Sequence, residues 1–182
     1  MIKKINLLIV CFGFAFSSFS QISQATLQAS GLTCAMCAKS VYKNLESLPF
    51  VDRIDIDLNA SSFLIIFKSA SSIDIDALSK KVQDAGFSVA SLKLTIKFDG
   101  AFVKNDAHLN IENKIFHFVN VKSQTLNGNI DVKLVDPSFV SLKDSKKYLS
   151  MTKMACMKSG KSESCCISAG IKSDSRIFHI TI

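Results

Sequence analysis

The chain has 182 residues, with 22 Lys and Arg against 15 Asp and Glu, a net charge of +7 spread along its length. A basic excess that dilute, with no Lys/Arg patch interleaved with aromatics, fits solubility and argues against nucleic acid as a partner. Two Pro and seven Gly leave most of the chain free to form regular structure, enough for one or two small domains.

Residues 1–20 read as a secretory signal peptide: Lys3 and Lys4 form the positive start, Ile5 to Phe16 the apolar core, and Ser17-Ser18-Phe19-Ser20 the small-residue exit. Cleavage is expected near Ser20–Gln21. Cys11 follows the bulky Val10 inside the apolar run, which does not suit lipidation. The run is short for a bilayer, and no later segment reaches spanning length, so no membrane span is expected after cleavage. The expected location is exported, periplasmic or otherwise extracytoplasmic. Five cysteines then remain: Cys34, Cys37, Cys156, Cys165 and Cys166. An odd number leaves at least one thiol unpaired within an exported chain.

Residues 25–32 read as a strand with Leu27 and Ala29 on one face. From about Cys37 to Leu48 the apolar residues Cys37, Val41, Leu45 and Leu48 make one helical stripe, ended by Pro49. Ile54, Ile56 and Leu58 then alternate with Asp and Arg as a half-buried strand, and Phe63 to Lys68 form another. Asp74 is placed to cap a second helix whose buried stripe is Ile75, Leu78, Val82 and Ala85, with Gly86 at its C-terminal cap. Residues 87–94 complete a β-α-β-β-α-β order, the ferredoxin-like arrangement of two helices on a four-stranded sheet.

Gly31-Leu32-Thr33-Cys34-Ala35-Met36-Cys37 lies at the first strand-to-helix turn, and Asp84-Ala85-Gly86-Phe87 precedes the last strand. With those two motifs and that element order, residues 25–94 resemble the heavy-metal-associated domain family of soft-metal chaperones and of metal-pumping ATPase modules. The resemblance covers about 70 residues and implies a ferredoxin-like fold. It implies an apolar residue under the loop at Leu32, where the family usually has Met, and Phe87 shielding the loop. The exported mercury-binding proteins built from one such domain are a second likeness.

Elementary chemistry points the same way. Thiolates are soft donors, and a pair three residues apart can close on one soft cation. A helix start favours anions and lowers a thiol's pKa. Thr33 supplies no carboxylate, and a bare thiol pair is a poor zinc site, so Cu(I) is the expected cargo at Cys34 and Cys37, with Hg(II) and Ag(I) as alternatives and Zn(II) behind them.

Beyond residue 95 the pattern predicts a mostly-β module over 95–182, a small barrel being one arrangement of it. Ile96 and Phe98 suggest a strand broken at Asp99-Gly100. Glu112-Asn113 and Asn127-Gly128 are hairpin signals, and Ile130, Val132 and Leu134 alternate. A short helix is expected within 139–155 and a last strand over 176–182. Met151, Met154, Cys156, Met157, Cys165 and Cys166 form a candidate second soft-metal set, though the compartment favours reading them as a core-filling helix face with a disulfide. His108, His117 and His179 read as ordinary strand or surface histidines, and the aspartates as solvated.

The fold class is thus α+β, a ferredoxin-like domain followed by a mostly-β module. The expected function is an exported metal chaperone or sequestration factor, not an enzyme, exchanging metal with a metal-transporting ATPase or other metal carrier. A thiol-disulfide oxidoreductase using the same cysteine pair is the alternative. Oligomeric state is not legible.

Overall fold

Ala25, Leu27 and Ala29 alternate along β1 (Gln21–Ser30) and all three are buried, so one face of this strand is committed to the core. The computed structural model describes residues 21–182; the expected export signal lies outside the described residues. After β1 come α1 (Ala35–Glu46), β2 (Val51–Asp57), β3 (Ser62–Phe67), α2 (Ile75–Asp84) and β4 (Ser88–Val103). Their strands order as β2-β3-β1-β4, all antiparallel, which is the ferredoxin-like sheet the pattern predicts. Val41 and Leu45 of α1 and Ile75, Leu78 and Val82 of α2 are buried in the same core as β1, β3 and β4. Asp74 Oδ1 accepts from the Ala77 N–H at 3.1 Å, and Gly86 takes φ +86° just past the helix end.

In β2 the expected alternation fails at its end. Only Val51 and Ile54 are buried, while Ile56 and Leu58 face out. The one register shift, between Val51 and Arg53, precedes Ile54, so Ile56 keeps the face of Ile54 opposite Phe63, and at this uncovered end of the edge strand Ile56 and Leu58 line a groove.

β4 is a single strand of 16 residues. Leu92, Leu94, Ile96 and Phe98 keep one uninterrupted buried face across the position where the pattern suggested two strands. β4 pairs with β1 on one side and with β7 (Gln124–Leu134) on the other. Asn127-Gly128 is not a hairpin loop: it lies within β7, opposite Asp99 and Phe98. Gly100 is the extra residue of a bulge at φ +69°, and its N–H donates to Asn127 Oδ1 at 2.7 Å. The Asn-Gly pair thus answers a bulge rather than a chain reversal.

Between β4 and β7, β5 (His108–Ile111) and β6 (Lys114–Phe118) form the hairpin expected around Glu112-Asn113, both at positive φ. After β7 come α3 (Leu142–Leu149), α4 (Cys156–Ser159), α5 (Ser164–Ile167) and β8 (Ile177–Thr181), which pairs parallel to β6 and antiparallel to β7. The whole sheet runs β2-β3-β1-β4-β7-β8-β6-β5. It is open, with β2 and β5 at its edges, rather than the small closed barrel that the strand spacing also allowed. One apolar cluster runs from Ile22 to Ile180. Among the described residues no helix is long and apolar enough to cross a membrane.

Candidate metal centre

Gly31 ends β1 at φ +83°, a backbone region that Gly enters without strain. A Cβ there would sit 3.9 Å from Phe87 Cδ1, so Phe87 packs beside the loop. Leu32 packs on the core beneath it. Cys34 is the N-cap of α1, and its Sγ accepts from the Cys37 N–H at 3.3 Å. Cys37, three residues on, lies in the first turn, where backbone N–H groups lack helical partners. The two sulfurs converge to 2.6 Å and both are free thiols, Cys34 exposed and Cys37 half-buried.

The hydrogen bond from Cys34 holds the Cys37 thiol below its ordinary pKa. Burial opposes this, and bonds from Thr33 reinforce it. The shift favours the thiolate, the form that binds soft metal. Thr33, next to Cys34, carries no carboxylate, and Asp57 is the acidic residue lining the groove beside the loop. This groove, of about 240 Å³, is also lined by Leu32, Cys34, Ala38, Ile56, Leu58 and Phe63 among others. Met36 at 72% exposure and Leu58 at 58% put apolar surface next to the thiols.

The loop lies within the span that matches a known family. Residues 26–88 match the heavy-metal-associated domain. Over 80 residues the chain is 33% identical to a probable copper-transporting ATPase of Arabidopsis thaliana, covering 43% of this chain and 8% of that protein. Over 130 residues it is 25% identical to the copper-exporting P-type ATPase of Bacillus subtilis, covering 70% of this chain and 16% of that one. The solution structure of apo-CopP from Helicobacter pylori superposes with TM-score 0.32 at 25% identity, over 37% of this chain and 98% of that one. The chain thus spans a small fraction of the length of the ATPases it matches. In the heavy-metal-associated domain, Cys34 and Cys37 stand at the start of α1, and residues beyond 88 are outside the match.

The second candidate set divides. Met151 and Met157 pack with Val119 and Val135, while Met154 packs with Cys156, Cys166 and Ile177. They do not share a helix face, because α3 ends at Leu149 and the chain turns before α4 begins at Cys156. Cys156, Cys165 and Cys166 are free thiols, with Cys156 and Cys166 fully buried. Cys165 and Cys166 hold their sulfurs 3.6 Å apart.

The three histidines are brought together, which the sequence reading did not anticipate. His108 on β5 is the register partner of His117 on β6, and His117 is the register partner of His179 on β8. The His108 and His117 rings stack at 4.6 Å, and His117 and His179 meet edge-on at 5.0 Å. Half of this was legible: a two-residue turn at Glu112-Asn113 makes 108 and 117 cross-strand partners by symmetry. The parallel β6–β8 pairing that adds His179 has no local signal.

Proposed function

We propose that the chain is an exported carrier of a soft monovalent metal ion, Cu(I) first, held by Cys34 and Cys37 and passed on by stepwise thiol exchange. The observation that carries this reading is the pair of free, convergent thiols at the N-terminus of α1, one with a depressed pKa. Two thiolates around Cu(I) leave one net negative charge, which the N-terminus of a helix stabilises. Two sulfurs without nitrogen or oxygen donors suit a two-coordinate soft ion better than Zn(II). The exposed site leaves room for a partner's thiols, and the apolar rim of Met36, Ile56 and Leu58 gives that partner a surface to meet. A metal-transporting ATPase or another carrier is the partner this chemistry suits, and the relatives' names are consistent with it.

The test is an anaerobic Cu(I) titration of the reduced chain against a chromophoric Cu(I) chelator, beside Cys34→Ser/Cys37→Ser. Loss of one tightly bound equivalent in the double variant is expected. Equal binding by the two proteins would remove the reading. A dithiol potential as oxidising as about −120 mV would instead favour thiol-disulfide exchange as the function of the pair.

A further inference from the structure

The row of imidazoles across β5, β6 and β8 is covered by the cysteines of α4 and α5. Cys156 Sγ lies 3.6 Å from His117 Nδ1, and Cys166 Sγ lies 3.4 Å from His108 Nε2. Two sets of three donors result, His117–Cys156–His179 and His108–Cys156–Cys166, the atoms of each within 4.8 Å of one another. Cys156 belongs to both. Neighbouring donors around a tetrahedral ion with N and S bonds are roughly 3.5 Å apart, so two contacts already match, the other pairs within each set need closure by about 1 Å, and a fourth donor from the other set must move further.

Carboxylates set the ring orientation. Asp136 Oδ1 lies 2.9 Å from His179 Nδ1, and Asp106 Oδ1 lies 3.1 Å from His117 Nε2. An ionised carboxylate only accepts, so each of those nitrogens carries the proton and the opposite nitrogen of each ring keeps its lone pair. On His117 that lone pair faces the Cys156 sulfur. On His179 it is Nε2, which is buried and has no hydrogen-bond partner. Carboxylate–imidazole pairs of this kind are the outer shell that orients metal-ligating histidines.

A merely structural cluster would satisfy its polar atoms. Here a buried nitrogen is left unpaired, which is costly, beside two buried thiols that form no disulfide. A cavity of about 580 Å³ lined by His108, Leu109, Ala169, Ile171 and Lys172 among others opens to the outside and reaches the set at His108.

We propose that His117, His179 and Cys156, with Cys166 or His108 completing the shell, form a second and buried metal centre for one tetrahedral ion of the imidazole–thiolate class, Zn(II) or Cu(I). Mixed nitrogen and sulfur donors at four positions select such an ion and disfavour the hard cations. The centre is independent of the Cys34–Cys37 loop and stands whether or not that loop carries copper.

The test uses the full reduced chain carrying Cys34→Ser/Cys37→Ser, so that only the buried set remains. It is titrated without oxygen with Zn(II), and separately with Cu(I), each against a competing chelator. One equivalent of either ion is expected, and preference between the two identifies the occupant. Adding His117→Gln/His179→Gln should weaken binding at least 100-fold while far-UV circular dichroism stays unchanged. X-ray absorption of the loaded chain should show two imidazole nitrogens with two sulfurs, or three with one, a readout that holds even where a histidine variant fails to fold. No bound ion, unchanged affinity in the folded histidine variant, or a sulfur-only shell would each overturn the proposal.

Discussion

Arg176→Met should destabilise the metal-free chain by about 3 kcal/mol, a value that follows from what the guanidinium touches. Nη1 donates to Asp136 Oδ1 at 3.0 Å and to the Gly160 carbonyl at 3.2 Å, and also to the Ile177 carbonyl. Nε and Nη2 grip both oxygens of Asp76 at 2.9 Å, reaching from just before β8 to the first turn of α2. The guanidinium carbon lies 4.3 Å from the Phe178 ring centroid. Asp136 is almost fully buried. Burial alone would raise its pKa, yet the His179 bonds and then Arg176 hold the carboxyl below its usual range. Losing the charged bond to this buried carboxylate costs about 2 kcal/mol, because Asp136 retains only its two bonds from His179. The more exposed Asp76 pair adds about 0.5 kcal/mol and the contact with Phe178 a similar amount. Met keeps the apolar stem, so the loss is that of the charge. In urea unfolding with EDTA present, the expected shift corresponds to roughly 6–12 °C in Tm for a chain of this size. A cycle with Asp136→Asn should give a coupling of about 1.5 kcal/mol. A loss below about 1 kcal/mol, or additivity within about 0.5 kcal/mol, would refute the reasoning.

Thiol reactivity should separate the cysteines in the reduced, metal-free protein. At pH 7.5 iodoacetamide is expected to modify Cys37 at least 100-fold faster than Cys156, whose thiol burial, reinforced by Cys166, pushes far up; peptide mass spectrometry over time reads the order, and equal rates would contradict it. Gly31→Val should cost about 2 kcal/mol or more, since a β-branched residue is strained at φ +83° and must press on Phe87; a neutral result in thermal unfolding would contradict the loop geometry. Phe63→Ala should cost about 3–5 kcal/mol, because Phe63 is wholly buried where β3 meets β1 and β2. Saturating either metal set at 100 times its Kd should raise unfolding free energy by about 2.7 kcal/mol, and EDTA should return it to the metal-free value.

How much of this was legible depends on how local each cause is. The thiol loop, the caps at Asp74 and Gly86, and the stripes of α1 and α2 are set by residues within a turn or two, and the pattern predicts them. The run of β4 past residue 94 was also written in Leu92, Leu94, Ile96 and Phe98; taking the domain's usual end as a boundary hid it. Asn127-Gly128 misled because the same positive-φ preference serves a tight hairpin and a bulge, and only the partner at Gly100 decides between them. The imidazole row was missed for a different reason. His179 lies 62 positions beyond His117, and a parallel pairing that distant leaves no periodicity to read.

β4 has one further consequence. Because β1 pairs with its residues 88–97 and β7 with 93–103, and a single apolar cluster runs through both neighbours, the two halves of the sheet overlap on one strand rather than meeting at a seam. An ion held at one end of the sheet then guards peptide bonds at the other, since a protease must wait for the same global opening. On the proposed function, the lifetime of the whole chain, and not only of its loaded site, follows the metal supply.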